Sequence, residues 1–202
     1  MVTAPTVVGV FALQGDFARH AAAWRSAGAQ VREVRTRADF AGLDALSMPG
    51  GESTTMLRLL GVLGLRKELE QAVDRLPVFA TCAGAILLGK GGEHLPAPPL
   101  GVLDVDVARN AYGRQVDSFE ADLDCAVLGG AVRGVFIRAP RFTRLGPQVE
   151  TIATHDGEPV GVRQGRLVAL AFHPELTDDV RLFRWFLEQV VAPARATQGA
   201  AR

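Results

Sequence analysis

Three short stretches carry residue types that can do chemistry. The first is Pro77-Val78-Phe79-Ala80-Thr81-Cys82-Ala83-Gly84, running on into Ala85-Ile86-Leu87-Leu88. Val78 to Thr81 reads as a short buried strand and Ala83 to Leu88 as the start of a helix. Cys82 sits at the junction, with small residues at 80, 83 and 84. A side chain placed there stands on a sharp strand-to-helix turn that only small neighbours allow, the pattern of a nucleophile elbow. The adjoining helix N-terminus offers unpaired N–H groups and positive potential, and both favour a thiolate over a thiol. The competing reading is a buried structural cysteine, the usual fate of a lone Cys in an apolar run. On this segment alone the two readings stand level.

The second stretch, Phe172-His173-Pro174-Glu175, follows an apolar strand, Leu167 to Ala171. In an extended segment residues i and i+2 point the same way, which predicts His173 and Glu175 side by side. A carboxylate there fixes the imidazole tautomer and stabilises the imidazolium. A surface histidine followed by a helix-capping acid is the rival for the tetrapeptide alone. Together with Cys82, the pair supplies nucleophile, base and orienting acid in chain order. The third stretch is Pro49-Gly50-Gly51-Glu52-Ser53, at a strand end. Parallel sheets place ligands at the carboxyl ends of strands, and glycines there let backbone N–H groups approach a developing oxyanion. The alternative is a plain turn with Ser53 as helix N-cap.

Positioning these stretches requires a βαβ scaffold. Val7 to Leu13 is an apolar run without alternation, which suits a strand buried on both faces. Gln14-Gly15-Asp16 breaks it, Asp16 can cap a helix over Phe17 to Ala27, and Gly28 closes that helix. Strands follow at Gln30 to Val34 and Leu43 to Met48, then helices at Thr54 to Leu63 and Leu65 to Arg75, then the Cys82 strand. This alternation argues for crossovers in a parallel sheet with helices on both faces. After a loop through Gly91 to Pro99 the pattern changes to short strands, expected at 102–107, 116–122, 132–138, 149–154, 158–163 and 167–171. Turns such as Asp156-Gly157 separate them. Asp178 to Val191 has the apolar spacing of a last helix. The fold class is therefore α/β, a mostly parallel central sheet flanked by helices on both faces, with antiparallel strands added in the second half. Residues 1–192 are expected to form one domain and residues 193–202 a frayed tail.

Composition narrows the function classes. The 202 residues carry 22 Lys plus Arg and 22 Asp plus Glu, so the net charge is zero, and nothing suggests a nucleic-acid or membrane surface. No apolar run approaches the ~20 residues of a membrane span, and Met1 to Thr6 lacks a signal-peptide pattern. Two cysteines, Cys82 and Cys125, fit a reducing cytoplasmic setting better than a disulfide framework. No Cys/His cluster has zinc spacing, and there is no Walker or Rossmann fingerprint. Cys125 is expected to be a structural thiol, His20 a helix-surface residue, His94 a loop residue and His155 a turn residue.

Thr81-Cys82-Ala83-Gly84, His173-Pro174-Glu175 and Pro49-Gly50-Gly51-Glu52 together resemble the class I, triad-type glutamine amidotransferases. Leu13-Gln14-Gly15, Gly50 to Thr55, Arg109 to Gln115, Ser118-Phe119-Glu120 and Val135 to Pro140 further resemble the glutaminase subunits of pyridoxal 5′-phosphate synthases. The resemblance runs from about Val7 to about Phe186; Ala80 stands where that family usually has Gly. It implies that Cys82 attacks the side-chain amide of L-glutamine to form a thioester, that His173 protonates the departing ammonia and then activates water, and that Glu175 orients His173. It implies an oxyanion hole from the N–H groups of Gly51 and Ala83. Substrate contacts would come from Gly50, Gly51, Glu52, Arg109, Ile137 and Arg138, the arginines suiting the α-carboxylate and Glu52 the α-ammonium. Gln14 matches a residue beside the oxyanion loop that responds to the partner. That partner would be a separate synthase (lyase) subunit, which uses the ammonia with pentose and triose phosphates. No metal and no bound cofactor are implied.

Two other functions remain compatible with the scaffold: a cysteine hydrolase acting on peptides or small amides, and a non-catalytic regulatory subunit. Arg109 and Arg138 argue against the first, because they fit a free amino acid; the intact Cys82, His173 and Glu175 argue against the second. A glutamine-analogue alkylator followed by peptide mass spectrometry should label Cys82 and leave Cys125 unmodified. Labelling at Cys125 would contradict the elbow assignment.

Overall fold

Four-residue strands with every residue buried need cover on both faces, and three of them form the centre of this protein: β3 (Ala45–Met48), β4 (Val78–Thr81) and β11 (Leu167–Leu170). In the computed structural model, which describes residues 5–91, 95–109 and 118–200, they belong to a nine-stranded sheet. Its order is β2-β1-β3-β4-β11-β10-β9-β6-β7. β1 (Val7–Phe11), β2 (Gln30–Val34), β3, β4 and β11 run parallel. β10 (Glu158–Gln164), β9 (Glu150–His155), β6 (Ser118–Cys125) and β7 (Gly130–Ile137) extend the sheet antiparallel. A separate two-stranded ribbon pairs β5 (Val105–Ala108) with β8 (Arg141–Leu145).

Helices α1 (Phe17–Ser26), α2 (Ser53–Val62), α3 (Arg66–Arg75), α4 (Ala83–Leu88) and α5 (Arg181–Phe186) flank the sheet. Trp24 of α1, Phe79 of β4 and Phe183 and Phe186 of α5 pack edge-on or tilted, with centroids 4.8–5.7 Å apart. Such pairs add about 0.5–1.5 kcal/mol each beyond their buried area. They bolt α1 and α5 to the strand that carries Cys82.

The register explains why three separated stretches meet. Leu170 pairs with Thr81 and Met48 with Ala80, so β3, β4 and β11 end level. Gly50, Cys82 and His173 follow those ends and emerge at one carboxyl edge of adjacent parallel strands.

Several expectations need correction. The final helix starts at Arg181 rather than Asp178, passes through a π turn at Leu187–Val191, and continues as Ala192–Ala200. Residues expected to fray are thus drawn into a helix; Arg195 Nη1 donates to Thr6 Oγ1 at 2.9 Å, and its guanidinium pairs with Asp44 at 3.2 Å. β8 was not expected, because Arg141 and Arg144 interrupt its apolar pattern. They face outward and pair with Glu158 and with Asp104 and Asp106. Asp16 precedes α1 but its side chain makes no capping bond. The first residues of the strand expected at 116–122, and His94, lie outside the described residues.

Candidate active site

The turn at Cys82 is sharp. Its backbone adopts φ 46°, ψ −105°, a region that costs a non-glycine residue roughly 1–3 kcal/mol. The surroundings hold it there. Cys82 N–H donates to Leu170 O at 2.8 Å, and Ile86 N–H donates to Cys82 O at 3.1 Å. Small neighbours are required: a Cβ on Gly84 would lie 2.3 Å from Met48 O. The side chain is buried, and its sulfur lies 3.9 Å from Ile137 O. Ala83 follows as the first residue of α4, where a backbone N–H has no partner within the helix.

His173 closes on Cys82 from the end of β11. Its backbone N–H donates to Val135 O at 2.8 Å. The chain does not stay extended: Pro174–Leu176 form a 3₁₀ turn with proline at its start. Glu175 nonetheless reaches back, and its Oε1 accepts from His173 Nδ1 at 2.7 Å. Burial works against charge on His173, but the Cys82 and Glu175 side chains beside it outweigh that and push its pKa up to about 10. Glu175 is only 4% exposed. Burial opposes its ionisation too, yet His20 and His173 hold it well below the usual carboxylate range.

His20 is the residue that sequence reasoning misplaced. It is fully buried, not on a helix surface, with Nε2 3.2 Å from Glu175 Oε1. The only sequence signal was its place on α1, shared with Ala21 and Trp24, one turn past a loop at the active edge of the sheet. His155 is likewise not in a turn but at the end of β9, against the rings of Phe119 and Phe136. Cys125 is buried, and burial pushes its thiol up, as expected of a structural cysteine.

The glycine strip lies against both candidate catalytic side chains. A Cβ on Gly50 would sit 2.2 Å from His173 Cε1 and 3.2 Å from Cys82 Cβ, so only glycine fits. Gly50 O accepts from Asp16 N–H at 3.2 Å. In a trans peptide the N–H of Gly51 must then point away from the Gly15–Asp16 turn. Gln14 Oε1 accepts from Glu52 N–H at 2.7 Å, pinning the next peptide.

Glu52, not Ser53, is the N-cap of α2. Its carboxylate accepts from Thr54 N–H at 3.1 Å and from Thr55 N–H and Oγ1, each at 2.7 Å. Burial works against its charge, but these bonds outweigh that and bring its pKa to about 2. Arg109 lies 3.6 Å from Glu52 Oε1 and donates to Thr54 Oγ1 at 3.2 Å. Arg138, exposed and at φ 44°, and Ile137, 38% exposed, form the facing wall.

These side chains line one cavity of about 290 Å³, which Gln14, Gly50, Gly51, Glu52, Cys82, Arg109, Ile137, Arg138 and His173 all reach. Asp16, Ser53, Ile86 and Leu176 complete it; the sequence marked the first two only as helix caps and gave the last two no role at the site. The volume suits one small molecule. Among the described residues no group of three or more His, Cys, Asp or Glu is arranged to hold a metal ion. No helix of the described residues is long and apolar enough to cross a membrane.

Residues 10–192 match the SNO glutamine amidotransferase family. The chain is 48% identical over 185 residues to pyridoxal 5′-phosphate synthase subunit PdxT of Thermotoga neapolitana, covering 91% of this chain and 98% of that protein. It is 52% identical to the PdxT subunit of Thermus thermophilus, covering 90% and 96%. A solved glutamine amidotransferase structure superposes with a TM-score of 0.85 at 50% identity, covering 91% and 98%. A second solved glutamine amidotransferase, from Thermotoga maritima, shares the fold at 15% identity and TM-score 0.58, covering 97% and 92%.

The pairing of His173 with Glu175 predicts a titration. The folded chain binds the His173 proton more tightly than the unfolded chain does. That contribution to stability is therefore complete below about 6.5 and fades as pH rises through about 10. NMR should place the His173 midpoint well above 6.5, and Glu175→Gln should lower it. A wild-type midpoint at or below that value would contradict the pairing.

Proposed function

This chain belongs to the SNO glutamine amidotransferase family, and on that premise we propose that it hydrolyses L-glutamine through Cys82, His173 and Glu175 and delivers the ammonia to a pyridoxal 5′-phosphate synthase subunit. The observation that carries the catalytic part is the convergence of an elbow cysteine, an imidazole and a buried carboxylate at one cavity. The PdxT relatives, near 50% identical over nine-tenths of the chain, support the pathway.

The geometry supports a reaction in two stages. Glutamine binds with its α-carboxylate toward Arg109 and Arg138 and its α-ammonium toward Glu52, whose carboxylate stays ionised under its helix N-terminus. Cys82, having given its proton to His173, attacks the side-chain amide carbon. The oxyanion is met by the N–H groups of Gly51 and Ala83. His173 returns the proton to the departing nitrogen, ammonia leaves, and a glutamyl thioester remains on Cys82. His173 then takes a proton from water, the resulting hydroxide cleaves the thioester, and glutamate is released. Glu175 stays ionised throughout and stabilises the imidazolium that forms twice per turnover.

Free ammonia made without an acceptor is wasted, which favours control by the partner. The structure offers a means. Gly51 sits at φ 152°, a glycine-favoured conformation, and the Gly50–Gly51 peptide is fixed on its carbonyl side by the Asp16 bond alone among the bonds described. Docking of the synthase would select one orientation of this peptide through its differential affinity for the two. An oxyanion donor turned away costs ~10²–10³-fold in turnover.

The chain alone should be a poor glutaminase that the synthase subunit switches on. With the synthase, Cys82→Ala should support pyridoxal 5′-phosphate formation from an ammonium salt but not from glutamine. Glutamine-dependent product with that variant would contradict the nucleophile. Full glutaminase activity of the chain alone would contradict control by the partner.

A further inference from the structure

His20 is fully buried on α1, and the steps above do not use it. Its ring joins three elements. Nε2 lies 3.2 Å from Glu175 Oε1 and 3.0 Å from Thr81 Oγ1, and Nδ1 lies 2.9 Å from Ser47 Oγ. Ser47 on β3 and Thr81 on β4 are themselves fully buried, and Thr81 directly precedes Cys82. The ring is therefore tied to the two strands that lead to the glycine strip and the elbow, and to the acid behind His173.

The direction of the bond to Glu175 follows from charge. An ionised carboxylate only accepts hydrogen bonds, so the imidazole nitrogen nearest Oε1 must carry the hydrogen. Oε1 accepts from His173 Nδ1 at 2.7 Å and lies 3.2 Å from His20 Nε2, whose one hydrogen it shares with Thr81 Oγ1 at 3.0 Å; among the described residues Oε2 is buried with no partner. The terminal torsion of a glutamate is broad. With His173 as the only donor, the carboxylate could turn and take His173 with it. A second donor on the same oxygen, anchored to the sheet, removes that freedom.

We propose that His20 is a positioning residue for the reaction: its Nε2–H fixes the Glu175 oxygen that orients His173, while Ser47 and Thr81 hold the ring. This rests on the assignment of Cys82, His173 and Glu175 made above. It also places one helix behind both halves of the site. Asp16 N–H, at the start of α1, holds Gly50 O, and His20, four residues later, holds Glu175.

A histidine that only filled space could be replaced by any side chain of similar volume. A positioning histidine needs a donor at the Nε2 position. A glutamine amide nitrogen reaches about that far from the backbone, whereas an asparagine amide stops near the Nδ1 position. Steady-state kinetics of the complex with its synthase subunit should show His20→Asn losing at least about tenfold in kcat with KM for glutamine within about twofold of wild type. His20→Gln should recover to within about threefold of wild type. Wild-type kcat in His20→Asn, or no recovery in a His20→Gln variant that melts like wild type, would overturn the proposal. NMR of the imidazole nitrogens in the wild-type chain supplies a readout that needs no variant and decides the matter if neither variant folds. His20 Nε2 should carry a hydrogen across neutral pH, and an unprotonated Nε2 would overturn the proposal. His173→Asn in the same assay separates the two levels. If it turns over like wild type, the triad assignment fails. If it is inactive while His20→Asn is normal, only the role of His20 fails.

Discussion

An ionised carboxylate almost wholly removed from water sets the terms for the rest of this structure. Glu175 loses its hydration, a penalty of several kcal/mol for an unpaired ion, and its only compensation is on the protein side. Two imidazoles supply it, from opposite ends of the chain: His173, two residues away, and His20 on α1. For both to arrive, β11 must lie beside β4, and α1 must pack over β3 and β4 with His20 turned inward. The aromatic cluster of Trp24, Phe79, Phe183 and Phe186 holds that packing. Against its burial, the Cys82 and Glu175 side chains together push the His173 pKa well above its ordinary range. A positive imidazole next to a sulfur is what an attacking thiolate and a departing ammonia both require.

Backbone strain marks the same place. The three non-glycine residues at positive φ are Cys82, Arg138 and Asp156 among the described residues, and two of the three line the cavity. Asp156 sits in a hairpin turn, where such a conformation is ordinary. Cys82 and Arg138 have no such excuse. Cys82 is buried and held by its backbone bonds to Leu170 and Ile86, as strained residues at functional sites commonly are, while Arg138 directly follows the end of β7. The contact of Gly50 with His173 and Cys82 makes the glycine strip and the elbow one packed unit, so a shift in either is felt by the other.

Much of this was legible in the sequence, for identifiable reasons. Apolar runs without alternation marked the parallel strands, because strands covered on both faces have no polar side. Small residues around Cys82 marked the elbow, because nothing larger fits beneath Met48 O. The His173–Glu175 contact was anticipated through the wrong backbone: a 3₁₀ turn, not an extended strand, brings the two together. Other features depend on contacts far apart in the chain. His20 looks like an ordinary helix histidine until β3, β4 and Glu175 close around it. Ser53 looks like the better cap until Glu52 is seen to reach Thr54 and Thr55. β8 is hidden because its arginines are offset by acids on β5 and β10 and on the loop before β5.

The central claim is that Cys82 carries the glutamyl group between ammonia release and hydrolysis. Acid-quenching the chain with its synthase subunit during turnover at saturating glutamine, then digesting and weighing the peptides, tests it most directly. The account predicts a glutamyl adduct on the peptide containing Cys82, cleaved by hydroxylamine as a thioester must be. Glutamine turnover with no adduct on Cys82, or an adduct on another residue, would contradict it.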